Sequence, residues 1–173
     1  MEQRLNHTQL SDILMEFERL ARQANVEGRI FDFFKEHKVD YDSYEECSYD
    51  KSRVRLLIAG QSDIGKNEII KLLKRYNINI NRVDMILDYD DLKTYKWNSI
   101  QYSDKYSDII VGPMGHKSVG NDGYSSVIAR MESEEGWPNV IRAEANLSLK
   151  FSKNSLEEAI LKTEFKQKEL SSY

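Results

Sequence analysis

The sequence predicts an α/β fold: a small parallel sheet of about four strands, flanked by helices and preceded by an N-terminal helical hairpin. Three observations carry this reading. From Val54 onward, short apolar runs alternate with helical stripes, the pattern of strand–helix–strand units. Those runs stop at Gly or Asp, as strands feeding into loops do. Before residue 40 the apolar spacing is helical only.

The first helix carries Leu10, Ile13, Leu14, Phe17, Leu20, Ala21 and Ala24 on one stripe. Thr8 or Ser11 is the expected cap, because a short hydroxyl accepts from an otherwise orphaned backbone N–H. Gly28 ends the helix, and a second short one near 29–37 presents Ile30, Phe31, Phe33 and Phe34. Residues 1–39 therefore read as a hairpin. Its apolar face is expected to pack onto the rest of the chain; a homodimer or a protein partner through residues 8–37 is the alternative. Residues 40–52, DYDSYEECSYDKS, contain no aliphatic residue and read as an acidic linker.

The α/β domain is assigned to 53–173. Val54–Ala59 is a buried strand that stops at Gly60, and residues 66–76 are a helix with Ile69, Ile70, Leu72 and Leu73 inward. Val83–Leu87 is the second strand, and 91–106 is loop with a short helix. Ile109–Val111 forms the centre of the third strand, 126–135 a helix, and Val140–Ala143 the fourth strand. A last helix is placed at 155–170, opened by a capping box from Ser155 to Glu158. Strands alternating with helices imply right-handed crossovers and a sheet covered on both faces, a Rossmann-like arrangement.

Composition narrows the function classes. The chain has 173 residues, room for one domain with an appendage. With 25 basic and 29 acidic side chains it is no general binder of nucleic acids or anionic membranes. Residues 1–52 hold 7 basic and 12 acidic groups, residues 53–173 hold 18 and 17, so the acidity sits in the N-terminal part. One cysteine, Cys47, excludes an internal disulfide and a cysteine-built zinc site. No apolar run approaches the roughly 20 residues of a membrane span, and the first ten residues lack the apolar stretch of a secretory signal. The expected setting is cytoplasmic.

An open parallel sheet binds ligands beyond the carboxyl ends of its strands, where chain order reverses. With the common order two-one-three-four, the reversal lies between the first and third strands. The loops Gly60–Gly65 and Gly112–Ser126 meet there, with the Asp88 loop alongside. The first loop reads GQSDIGK, most of a phosphate-cradling G-x-x-x-x-G-K loop between a strand and a helix. Yet Asn67 stands where that motif needs Ser or Thr for magnesium, and Asp63 puts a negative charge inside the loop. The plainer reading is a strand-to-helix turn whose helix start still attracts anions through Gly60, Gln61 and Ser62.

The second strand ends in Asp88-Tyr89-Asp90-Asp91. Paired acids at a strand end can hold magnesium, as in TOPRIM-type domains, but the first strand lacks the glutamate that completes that set. Helix capping by these acids is favoured over metal binding, and no metal ligand is assigned. The third loop, GPMGHKSVGNDGYSS, holds Gly112, Gly115, Gly120 and Gly123, half of the protein's eight glycines. Such a backbone can approach a ligand closely. His116 and Lys117 add positive charge, and Tyr124, Ser125 and Ser126 supply hydroxyls at the next helix start, a set suited to a phosphate or carboxylate. His7 and His37 read as exposed helix residues, and Cys47 has no base near it in sequence.

Residues from about 53 to 165 resemble a small uncharacterised group of bacterial Rossmann-like proteins. The resemblance lies in the strand ending at Gly60, in LDYDD, in SDIIVGPMGHK and in GYSSVIARMESEEGWPNVIRA. It implies the fold and marks the loops, and it carries over no catalytic residue. The N-terminal helices fall outside it. The leading expectation is a domain that binds a nucleotide or other anionic small molecule at the C-terminal edge of the sheet. Two alternatives stand beside it. One is a magnesium-dependent phosphoryl-transfer or phosphodiesterase enzyme using Asp88 and Asp90; the other is an interaction module working through the N-terminal helices.

Overall fold

The computed structural model describes residues 4–40, 53–114 and 126–166. The linker from 41 to 52, with Cys47, lies outside them, as do Gly115 to Ser125.

Four parallel strands form the sheet: β1 (Arg55–Ala59), β2 (Val83–Ile86), β3 (Tyr106–Val111) and β4 (Asn139–Arg142), in the order β2-β1-β3-β4. The order is the expected one, with its reversal between β1 and β3. Pairing holds in register from Leu56–Asp108 to Ala59–Val111, after an irregularity at Arg55. Side chains alternate across β1 and β3, so each face is apolar. Leu56, Ile58 and Ile110 meet α3 (Lys66–Arg75) and α6 (Lys153–Lys162) through Ile69, Leu73, Leu156 and Ile160. Leu57, Ala59, Ile109 and Val111 meet the other layer. That layer holds α4 (Tyr89–Thr94), the 3-10 turn Trp97–Ile100 and α5 (Val127–Ser133), with Leu92, Trp97, Ile128 and Met131 inward.

Two helix starts differ from expectation. At α6 the cap is Ser152, and Ser155 sits three residues in, its hydroxyl accepting from the Ser152 N–H at 3.0 Å. Ser155 is buried and its hydroxyl also donates to the Lys150 carbonyl, so it belongs to the interior rather than to an exposed helix mouth. The helix stops at Lys162 instead of 170. Beyond it the buried carboxylate of Asp108 accepts from the N–H groups of Glu164 at 3.0 Å and Phe165 at 2.8 Å, holding a separate turn against the sheet. Such a stop is a tertiary effect with no local sequence signal.

The N-terminal pair, α1 (His7–Val26) and α2 (Ile30–Glu36), forms the expected hairpin, with Gly28 at φ +71° in the joint. Asn6, not Thr8 or Ser11, caps α1, in a reciprocal box with Gln9 at 2.9 and 3.0 Å. The hairpin's orientation is the larger difference. The side of α1 that lies on the domain is the polar one. Arg22 donates to the Asn98 carbonyl at 3.2 Å and Lys96 reaches Ser11 at 3.4 Å, so α1 runs beside the 3-10 turn. The apolar stripe points away from the domain. Phe17 packs against Phe33 and His37 of α2, and Ala24 is buried, but Leu10, Ile13 and Leu14 remain exposed.

A short antiparallel hairpin, β5 (Glu144–Ala145) with β6 (Ser148–Leu149), was not legible as strands. Its two-residue turn, Asn146-Leu147, has φ of +53° and +63°. Asn tolerates that region; Leu does not, and Leu147 is 98% exposed with nothing to offset the strain. Leu147→Gly should therefore stabilise the protein by about 0.5 kcal/mol, the relief of strain exceeding the extra entropy of an unfolded glycine. Denaturant unfolding measures it, and a loss of stability would contradict the turn geometry.

Candidate functional site

β1 ends at Ala59, and the chain turns at Gly60 against the end of β3. A Cβ on Gly60 would lie 2.7 Å from the Gly112 Cα, so the two backbones touch. A Cβ on Gly112 would lie 2.6 Å from the Phe151 ring. Gly60, Gly112 and Phe151 are all fully or nearly fully buried. Three segments distant in sequence therefore meet at the reversal point, and two glycines make the meeting possible.

The loop after Gly60 is tied to its neighbours. The Gln61 N–H donates to the Pro113 carbonyl at 2.8 Å, and the Asp63 N–H to the Phe151 carbonyl at 3.2 Å. The Ser62 hydroxyl donates to the Ile64 carbonyl and accepts from the Ile64 N–H. A phosphate cradle works by aiming such N–H groups at the ligand. Here those of Gln61, Asp63 and Ile64 are aimed at protein oxygens. What stays turned outward is the exposed Gln61 side chain and the start of α3, where Gly65 occupies the cap position without any side-chain hydrogen bond and Lys66 is exposed.

The acids after β2 serve their own helix. Asp88 accepts from the N–H groups of Asp90 at 2.9 Å and Asp91 at 3.4 Å, capping α4, while Asp90 and Asp91 are exposed in its first turn. Negative charge there is favourable because the N–H groups of the first turn face it. No group of three potential metal ligands is found among the described residues. Ser126 caps α5 by accepting from the Ala129 N–H at 3.1 Å. The structure thus brings Gly60, Gln61, Ser62 and Gly112 together and sets Asp88 and Asp90 beyond the neighbouring strand. Gly115, His116, Lys117, Tyr124 and Ser125 lie outside the described residues.

The most strongly perturbed carboxylate lies at the opposite, N-terminal edge. Asp84 receives two bonds from Arg55, at 3.0 and 2.6 Å, and one from the Tyr106 hydroxyl at 2.7 Å, with Lys105 at 3.4 Å. Burial alone would raise its pKa; the bonds from Arg55 and Tyr106 and the charges of Arg55 and Lys105 overcome that and hold it at about 2. Burial, followed by the bond to Asp84, pushes the Tyr106 phenol upward. These groups come from three adjacent strands, so they form a latch across β2, β1 and β3. The signal was present in the sequence: a cation, an acid and a phenol near three strand starts.

The same edge has a cavity of about 650 Å³ between the end of α1 and the chain around Tyr102 and Trp137. Arg130, only 5% exposed, stands over the Trp137 ring and bonds Glu134 at 2.9 Å and Asn98 at 2.6 Å. Gly136, at φ +84°, lets Tyr102 lie against it: a Cβ there would meet the ring at 2.5 Å. No helix among the described residues is long and apolar enough to cross a membrane. No family model, curated protein or solved structure matches this chain.

Two outcomes follow from these contacts. Gly112→Ala should destabilise the fold by about 2 kcal/mol, because the Phe151 ring is enclosed and has nowhere to go. Adding Phe151→Leu should make the pair of changes less costly than their sum in denaturant unfolding; strict additivity would show that the two residues do not touch. Asp84 is charged in the folded protein to lower pH than in the unfolded chain. Its contribution is therefore complete above its ordinary pKa near 4 and disappears as pH falls through about 2. The stability gap between wild type and Asp84→Asn should be about 1 kcal/mol near neutrality, screening included, and should close below pH 2. A gap that widens in acid would contradict this.

Proposed function

We propose that the chain is a cytosolic Rossmann-like domain that binds a nucleotide or other anionic small molecule at the C-terminal edge of its sheet. One observation carries the reading: the strand order reverses between β1 and β3, and at that point a ten-residue helix, α3, begins with no side chain on its first-turn N–H groups. Binding at such a reversal is the general behaviour of open parallel sheets. The anion is assigned to the mouth of α3, beside the Lys66 ammonium and the Gln61 amide. The crevice between β1 and β3 is not assigned to it, because Phe151 and the Gln61–Pro113 bond fill that space. The exposed Asp90 is the acceptor for a ribose hydroxyl. Gly115, His116, Lys117, Tyr124 and Ser125 remain the sequence's further candidates for contacting the same anion. No residue is assigned a catalytic role.

Thermal unfolding in the presence of ATP, ADP and inorganic phosphate tests the reading. A ligand at ten times its Kd adds about 1.4 kcal/mol to stability and raises Tm by several degrees. Lys66→Glu should abolish the rise while leaving the ligand-free Tm unchanged, since Lys66 is exposed. An unchanged Tm with all three probes at millimolar concentration would overturn the proposal.

A further inference from the structure

Buried donors in a folded protein find acceptors, and each exception calls for a reason. Among the described residues three buried side-chain N–H groups have no hydrogen-bond partner: Arg22 Nε, Trp97 Nε1 and Trp137 Nε1. Trp97 belongs to the 3-10 turn beside which α1 runs. The other two residues line the cavity of about 650 Å³ at the N-terminal edge of the sheet. They reach it from different elements, Arg22 from the last two turns of α1 and Trp137 from the chain between α5 and β4. Neighbouring acceptors are engaged elsewhere. The terminal nitrogens of Arg22 donate to Glu18 at 2.8 Å and to the Asn98 carbonyl at 3.2 Å, which leaves Nε over. The Glu134 carboxylate lies near the Trp137 indole but outside hydrogen-bond geometry, and one of its oxygens takes Arg130 at 2.9 Å and Gln101 at 3.2 Å.

We infer that this cavity is a binding site for a flat, uncharged organic molecule bearing a carbonyl, an aromatic amide being the simplest example. The carbonyl oxygen supplies the acceptor that Arg22 and Trp137 lack. The ring lies against Tyr102 and Trp137, two partly exposed aromatic side chains of the wall. The volume is that of a small-molecule site, for which about 300 to 1,000 Å³ is usual. Charge selects among ligands that carry an acceptor. The wall holds one cation, Arg22, against two acids, Asp104 and Glu135, so its field opposes an anion. A carboxylate therefore brings acceptors at the cost of repulsion. An amidinium suits the field but has no lone pair to offer, and the two N–H groups stay unmet. An uncharged carbonyl meets the donors without opposing the charge.

Indole N–H signals in the proton–nitrogen spectrum of the full chain read it directly, since Trp97 and Trp137 are its two tryptophans. Trp137→Phe, which keeps a ring beneath Arg130, assigns the signals, and Overhauser contacts of each indole N–H assign them without any variant. Benzamide, benzoate and benzamidinium share one shape and differ in the group that meets the donors. Benzamide should move the Trp137 signal downfield with a Kd of about 1 mM, as befits so small a ligand, and leave Trp97 in place. Benzoate and benzamidinium should bind about five-fold more weakly, and so should benzamide to Trp137→Phe. A Trp137 signal that about 20 mM benzamide does not move overturns the inference. Benzoate or benzamidinium binding as tightly as benzamide overturns it too, and so does full affinity in Trp137→Phe, because the unpartnered N–H would then play no part. These readouts involve neither phosphate nor the start of α3, so they are independent of the anion site.

Discussion

β1 has no face turned to water. Leu56, Leu57, Ile58 and Ala59 are all at 0% exposure, with β2 on one edge and β3 on the other. A strand so placed can exist only between two apolar layers, because each of its faces must be removed from water and each of its backbone groups must find a partner in a neighbouring strand. α3 and α6 supply one layer, and the chain from α4 to α5 supplies the other. The same enclosure fixes what happens where β1 ends. The chain must leave between β3 and Phe151, and Gly60 and Gly112 are the side-chain-free positions that let it through.

The two edges of the sheet do different work. At the C-terminal edge, backbone groups of the loop after β1 bond to the chain around Pro113 and Phe151, which closes the crevice and leaves the start of α3 as the open surface. At the N-terminal edge, side-chain hydrogen bonds hold strands together. Asp84 joins Arg55 and Tyr106, and Asp108 binds Asn139 as well as the turn after Thr163. Asp108 is completely buried, and its polar atoms are satisfied by the Asn139 amide and the backbone N–H groups of Glu164 and Phe165. Perturbed or buried acids often mark active sites. Here Asp84 is engaged by the neighbouring strands and Asp108 by β4 and the turn after Thr163, so both act as latches.

The hairpin follows a separate logic. Its own core is small: Phe17, Phe33 and His37 in contact, with Ala24 beneath. Its attachment to the domain is polar, through Arg22 and Ser11. A polar attachment and an outward apolar stripe belong together, since a helix has one stripe and can turn it only one way.

Periodicity by itself determined the existence and kind of most elements, from the α1 stripe to the runs at Leu56 and Ile109, because an amphipathic or doubly buried segment writes its environment into its spacing. The Gly60 and Gly112 turns were also legible, since glycine beside a strand end signals a close approach. Tertiary structure decided the rest. Which way α1 faces depends on what lies opposite it, and periodicity defines a stripe without saying what it meets. The filling of the crevice by Phe151 and the halt of α6 before the Asp108-bound turn join residues more than thirty positions apart, where no local rule reaches. Whether Ser62 or Asp88 looks outward was likewise settled by hydrogen bonds: each had a backbone partner within three residues and took it.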